Sequence, residues 1–324
     1  MVVRGTHRHR RHRPDHRSGH PDDLEHPLLL ARGTTVKKQG EPGTIAVDIN
    51  PEGLEGTYKA VLSQDETPKL RILNLAVTYV DRAGQETEAV RHITLDILDK
   101  PGCGEIVVFL GPSGCGKSTI LKAVAGLLIP TKGEIFVDGE PVTDTGRDRG
   151  MVFQAYTSFA WMTVRNNVEY GLRLRGVSAA ERRKLSQKYL EAVGLDSFAD
   201  RYPKDLSGGM KQRVAIARTL INQPRLVLMD EPFGALDPGT RWGMQSLLLD
   251  VSKTEDNTIL FVTHDVSEAV YLADTIYVLA PRPTHVLHRV DVPRFSERNS
   301  ILKSSAEFRA IEKELLDLLY TKER

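Results

Sequence analysis

Two cysteines, Cys103 and Cys115, are all that the 324 residues contain. So few exclude a disulfide framework and suit a reducing compartment. No apolar run reaches the roughly 18 residues that a membrane-spanning helix needs. The N-terminal stretch lacks the apolar core of a secretory signal, and Leu28-Leu29-Leu30 is too short to serve as one. Net charge is almost missing as well: 44 Lys+Arg face 43 Asp+Glu, for +1 overall. Residues 1–20 hold six arginines against Asp15, a charge of +5, which leaves −4 for the other 304. A mildly acidic body excludes a polyanion-binding surface by bulk charge, and no nucleic-acid partner is expected. The 40% hydrophobic content is that of a globular chain with a large core.

Residues 1–67 differ from the rest. His7-Arg8-His9-Arg10-Arg11-His12-Arg13 is basic and of low complexity, and apolar residues are few and unpatterned. The expectation is a disordered extension. Histidines there invite a metal and arginines an anionic polymer or lipid, but zinc-type Cys/His spacing is absent and a solvated tail suffices. Short β-like segments at 44–49 and 58–62 have no evident place.

Order is expected from about residue 68. Leu70–Tyr79 and Ala89–Ile97 alternate apolar and polar residues around the turn signal Asp81–Gly84, an antiparallel pair. Tyr79 is either an edge aromatic or a platform for a flat ring. Glu105–Leu110 is an apolar, β-branched strand, and Ile120–Leu128 is apolar at helical spacing. Between them stands Gly111-Pro112-Ser113-Gly114-Cys115-Gly116-Lys117-Ser118-Thr119, which fits G-x-x-x-x-G-K-[ST], the phosphate loop of nucleoside triphosphatases. Glycines let backbone N–H groups curl round an anion, and the helix N-terminus adds unsatisfied donors. Lys117 supplies a mobile charge for the β- and γ-phosphates, and the Ser118 hydroxyl a ligand for Mg²⁺. Cys115, beside Lys117, reads as a reactive thiol or as a plain loop residue.

Further strands are expected at Glu134–Gly139 and Gly150–Gln154. A helical segment over about 155–220 interrupts the α/β pattern. Within it Ser178 and Glu181 form a capping box for a helix reaching Val193. Leu206-Ser207-Gly208-Gly209-Met210 opens a helix expected over Lys211–Ile221, a second anion-friendly N-terminus. Leu226-Val-Leu-Met229 runs into Asp230 and Glu231. Ligands of open α/β sheets bind at strand carboxyl ends, so both acids are expected to face the phosphate loop, Asp230 suited to Mg²⁺ and Glu231, one residue on and pointing elsewhere, to a water. His264 follows the strand Thr258–Thr263, structural or in contact with a γ-phosphate. Ser305–Tyr320 places Phe308, Ile311, Leu315, Leu318 and Leu319 on one helical face.

In order, GPSGCGKST (111–119), Gln154, LSGGM (206–210), LVLMDEP (226–232), Ala235-Leu236-Asp237 and His264 resemble the ATP-binding subunit of ABC transporters over about residues 68–295. The likeness is nearest to the nitrate/sulfonate/taurine import ATPases, through 206–218, 229–237, Thr240-Arg241, Met244-Gln245 and 260–269. It implies an α/β fold: a P-loop NTPase, ABC-type ATPase core with an antiparallel β subdomain and an inserted α-helical subdomain, followed by a C-terminal helical tail at 296–324. It implies ATP as substrate and Mg²⁺ as cofactor. Tyr79 would stack on adenine. Lys117 and the loop Gly111, Pro112, Ser113, Gly114, Cys115, Gly116, Ser118 and Thr119 would hold phosphates, through backbone N–H groups that Pro112 alone lacks. Ser118, Gln154 and Asp230 would surround Mg²⁺, Glu231 would polarise water, and His264 would meet the γ-phosphate. Ser207, Gly208 and Gly209 would reach the ATP of a second copy, with Asp237 linking the two sites.

One departure is Met210, where the family signature LSGGQ has Gln; the serine and glycine amides remain. Implied partners are a second copy, transmembrane permease subunits that the segment Tyr156–Tyr170 would meet, and indirectly an extracytoplasmic solute-binding protein. The expected place is the cytoplasmic membrane face. Phe159 and Trp161 are either partner surface or the core of the insertion. A soluble, non-transport ABC ATPase is the alternative, but neither the long coiled coil of repair types nor the second ATP module of translation types is present.

Overall fold

A computed structural model describes residues 67–98, 102, 104–234, 236–254, 257–293, 295, 298 and 301–320, and the backbone of 46–48 and 57–58. The expected disorder of the N-terminal extension, its basic stretch at 7–13, Cys103 and Ala235 lie outside the described residues. The first strands are β1 (Ala46–Asp48), inside the unplaced segment 44–49, and β2 (Thr57–Tyr58), which overlaps the start of the segment 58–62. Both pair with the folded body, so the boundary at residue 68 leaves out two short edge strands. β3 (Leu70–Val80) and β4 (Glu86–Ile97) form the expected hairpin. Its turn is fixed by Asp81 Oδ1, which accepts the N–H groups of Ala83 and Gln85 at 2.8 and 2.9 Å.

β5 (Glu105–Leu110) runs into the phosphate loop and α1 (Lys117–Val124), followed by β6 (Lys132–Val137), β7 (Glu140–Pro141) and β8 (Arg149–Val152). The helical segment comprises α2 (Val164–Val168), α3 (Tyr170–Leu174), α4 (Ala179–Ala192) and α5 (Gly208–Leu220). Then come β9 (Leu226–Asp230), α6 (Pro238–Thr254), β10 (Thr258–Thr263), α7 (Val266–Leu272), β11 (Thr275–Leu279), β12 (Val286–Asp291) and α8 (Ala306–Tyr320). As the capping-box reading required, Ser178 accepts the Glu181 N–H at 3.3 Å.

The larger sheet has the order β1-β12-β11-β5-β10-β9-β8. β8, β9, β10, β5 and β11 are parallel, and β12 and β1 continue it antiparallel. The smaller sheet, β2-β4-β3-β6-β7, is antiparallel apart from the β2–β4 edge. Strands β5, β9 and β10 are buried at every residue, which is why they read as unbroken apolar runs. Their side chains still alternate between two cores. Ile106, Val108, Val227, Met229, Ile259 and Phe261 join one with α2, α4, α5 and the last three helices. Val107, Phe109, Leu226, Leu228, Leu260 and Val262 join the other with α1 and the smaller sheet. Each fully buried aliphatic or Phe side chain contributes about 1.5–3 kcal/mol. The phosphate loop thus leaves the middle of a sheet clamped on both faces. Phe308, Ile311 and Leu315 of α8 are fully buried in the first core, so the C-terminal helix is docked.

Candidate active site

The phosphate loop is shaped by its glycines where no other residue would serve. Gly114 has φ 75° and Gly116 has φ 128°, and a Cβ on Gly116 would lie 2.9 Å from the Ala89 carbonyl of β4. Lys117 is 3% exposed. Its Nζ donates to the Gly111 and Pro112 carbonyls, each at 2.9 Å, and lies 3.6 Å from Glu231 Oε1. The ammonium is therefore held inside the curl of the loop. Cys115 is 2% exposed, and burial pushes its thiol up against the opposing pull of Lys117. That favours the plain loop residue over the reactive thiol.

Two carboxylates end β9 beside this loop. Ser118 Oγ donates to Asp230 Oδ1 at 2.7 Å. Burial pushes Asp230 above the ordinary aspartate value, opposed by the Ser118 hydrogen bond and aided by the nearby Glu231 charge. Strand alternation would send Glu231 away from this cluster. Instead Glu231 takes φ 43°, a left-handed backbone that costs a non-glycine residue about 1–2 kcal/mol, with its N–H bonded to the Val262 carbonyl at 3.0 Å. The turn sets its carboxylate between Lys117 and His264, whose Nδ1 is 3.2 Å from Glu231 Oε2. Both acids face the loop, Asp230 on Ser118 and Glu231 between Lys117 and His264. Tyr79 also reaches the loop, its hydroxyl 3.2 Å from Thr119 Oγ1, with the side chain substantially exposed.

The other anticipated residues stand apart. Gln154 is exposed just beyond β8. Ser207 caps α5, accepting the Met210 N–H at 3.3 Å, so this helix starts at Gly208 and not, as expected, at Lys211. A Cβ on Gly209 would meet Thr240 Cγ2 at 3.0 Å, which ties the signature glycines to the start of α6. Asp237 Oδ1 accepts the Thr240 N–H at 3.0 Å, the contact that chiefly holds its carboxyl below the usual range. Among the described residues no hydrogen bond or ion pair joins Gln154, Ser207 or Asp237 to the phosphate loop of their own chain. The aromatic pair of the insertion divides. Phe159 packs on Tyr170 at 4.8 Å beneath the Arg218 guanidinium, while Trp161 is 73% exposed.

Two features had no signal in the sequence. Leu319 and Tyr320, the end of α8, line a cleft of about 480 Å³ with Ser113, Gly114, His264 and Arg282. Thr284, fully buried, donates to the Cys115 carbonyl and accepts the Arg91 N–H through its own carbonyl, so a distant loop braces the phosphate loop. Apolar periodicity predicted α8 but not where its end arrives.

Within one chain the arrangement supplies an anion cradle with a buried ammonium, a hydroxyl–carboxylate pair of hard oxygen donors, and a glutamate–histidine pair. Comparison with known proteins agrees. Residues 99–234 match the ABC transporter family model. A putative ATP-binding protein of Brucella abortus (strain 2308) is 50% identical over 232 residues, 72% of this chain and 88% of that protein. The nitrate import ATP-binding protein NrtD of Synechocystis sp. is 46% identical over 260 residues, 78% of this chain and 96% of its own. The taurine import ATP-binding protein TauB of Rhizobium johnstonii is 40% identical over 259 residues, 78% and 97%. Among solved structures, the dimeric ATP-binding cassette MJ0796 bound to ADP and Pi superimposes with a TM-score of 0.62 at 33% identity, over 70% of this chain and all of that one.

The fold is that of an ABC ATPase cassette. The chain belongs to the ABC transporter family, as an ATP-binding, ATP-hydrolysing member. Among the described residues no helix is long and apolar enough to cross a membrane.

Proposed function

We propose that this chain is the ATP-hydrolysing subunit of an importer for a small anionic solute such as nitrate, a sulfonate or taurine. It works as a pair of copies on the cytoplasmic face of the membrane, beneath separate permease subunits that an extracytoplasmic solute-binding protein supplies. The observation that carries the catalytic reading is the line Lys117–Glu231–His264, with separations of 3.6 and 3.2 Å. The γ-phosphate takes Lys117 over from Glu231 and from the Gly111 and Pro112 carbonyls. Glu231 is then free to accept a hydrogen bond from the attacking water and to take its proton as the terminal phosphoanhydride bond breaks. His264, on the far side of Glu231, contacts the γ-phosphate, and Tyr79 carries the adenine. Mg²⁺ fits the hard oxygens of Ser118 and Asp230, with Gln154 as a third ligand. Bound there, it neutralises charge on the β- and γ-phosphate oxygens.

Among the described residues no hydrogen bond or ion pair ties Ser207, Gly208 or Gly209 to their own phosphate loop, which leaves them to close over the ATP of a second copy, with Asp237 between the two sites. ATP is then the glue of the pair, and hydrolysis removes it. The dimeric relative bound to ADP and Pi supports that reading. For the permease, a groove of about 370 Å³ between Phe159, Tyr170, Leu174, Arg175 and Arg218, beside the exposed Trp161, offers an apolar floor with a basic rim. Import of nitrate or taurine is drawn from the two import relatives.

Glu231→Gln tests the core of this reading. It is expected to bind ATP, lose roughly 100-fold or more of turnover, and accumulate as an ATP-bound dimer on size exclusion. Near wild-type hydrolysis overturns the role of Glu231. Uptake of labelled nitrate and taurine, compared in cells carrying the wild type and this variant, tests the cargo.

A further inference from the structure

His264 stands on a turn that is held from behind by a buried polar network. The preceding residue, Thr263, donates through Oγ1 to Glu268 Oε2 at 2.7 Å, and the same oxygen accepts the Asp265 N–H at 3.0 Å. Asp265 Oδ1 caps α7 by accepting the Glu268 N–H at 3.0 Å. The second oxygen of Glu268 accepts from Gln245 Nε2 of α6 at 3.1 Å. Glu268 and Gln245 are 5% and 1% exposed. One turn earlier on α6, Arg241 lies 3.7 Å from Asp265 and donates to the Leu236 carbonyl at 3.2 Å. α6 itself starts directly after Asp237. Both residues that flank His264 are therefore tied to α6, one through a carboxylate and one through a guanidinium.

A buried carboxylate is a costly spacer, and an apolar side chain would fill the same volume at lower cost. What the carboxylate adds is direction. With both oxygens accepting, one from α6 and one from the residue before His264, a single separation of helix and turn satisfies the set. That separation leaves the imidazole against Glu231.

We propose that Glu268 and Gln245 are positioning residues for His264, fixing the turn at the end of β10 against α6 so that the imidazole meets the γ-phosphate beside Glu231. The inference rests on the role given to His264 above. It concerns residues that touch no substrate, and their effect passes through Thr263.

The test is a double-mutant cycle on the full chain, with ATP turnover and the affinity for a fluorescent ATP analogue read separately. Glu268→Gln is expected to lower kcat about tenfold with nucleotide affinity within about twofold, because one donor then faces the new amide. The exchange Gln245→Glu with Glu268→Gln restores complementary partners and recovers most of kcat. In a His264→Ala background, with residual hydrolysis measured by single turnover, adding Glu268→Gln costs less than about twofold. A full additional tenfold loss there, or an exchange variant as slow as the single one, overturns the proposal. The His264 imidazole resonance gives a second readout: it moves in Glu268→Gln and returns in the exchange variant, and an unmoved resonance also overturns the proposal. A His264→Ala protein that hydrolyses ATP at the wild-type rate overturns the underlying reading of His264, an outcome distinct from additivity.

Discussion

The chain carries two glycine-rich helix N-termini built in opposite ways. At α1 the loop folds over itself. Lys117 is buried in the curl, Ser118 is engaged by Asp230, and the strand behind is clamped between two cores. At α5 the helix starts on an exposed serine that caps its own first turn, with Gly208 and Gly209 half-exposed and no cation drawn in. The first can grip an anion unaided. The second offers N–H groups to an anion that something else must deliver. Under the function proposed above, one chain holds a phosphate cradle and a lid for the site of a second copy, which is the asymmetry that pairing two copies resolves.

Removing the cradle should have the largest effect. Lys117→Ala is expected to weaken ATP binding roughly 100-fold or more, read by titration with a fluorescent analogue, since a desolvated charge-assisted contact is lost. Retained binding would break the comparison, because the loop would then not be the autonomous half. Spoiling the lid should leave binding alone. Ser207→Arg, at an exposed position, is expected to keep monomer ATP affinity within about twofold while turnover drops about tenfold or more and the Glu231→Gln dimer no longer forms. Weakened binding in that variant would mean that α5 serves its own loop.

The smallest difference is in pH. Burial lifts Asp230 above the ordinary 3.8, so the folded chain keeps that proton at pH values where the unfolded chain has released it. Its contribution to stability is full at lower pH and is lost as pH rises through the window that opens at 3.8. Asp230→Asn should flatten the slope of the thermal midpoint in the acid range above pH 3.8, whereas Ser207→Arg should leave that slope unchanged.

Much of this was legible because the strongest signals are local. The phosphate loop, the unbroken apolar strands β5, β9 and β10, and the Ser178 cap each depend on residues within a few positions. Four features were not. β1 and β2 are two or three residues long and acquire meaning only from β12 and β4, far along the chain. The start of α5 was set too late because glycines read as loop, while the Ser207 cap lets the helix take them in. The left-handed φ of Glu231 gives no local signal, because it stands one residue past the strand, where alternation no longer sets the aim of a side chain. The partnership of Gln245 with Glu268 spans 23 residues between two helices, and spacing cannot foresee it.

The end of α8 matters most to whoever next handles the protein. Tyr320 is exposed and shares a cleft with Ser113 and His264, while the native Cys115 is buried. In a Cys103→Ser background, a thiol introduced as Tyr320→Cys would place a fluorophore at the rim of the nucleotide cleft, a reporter of its opening and closing that leaves the phosphate loop unaltered.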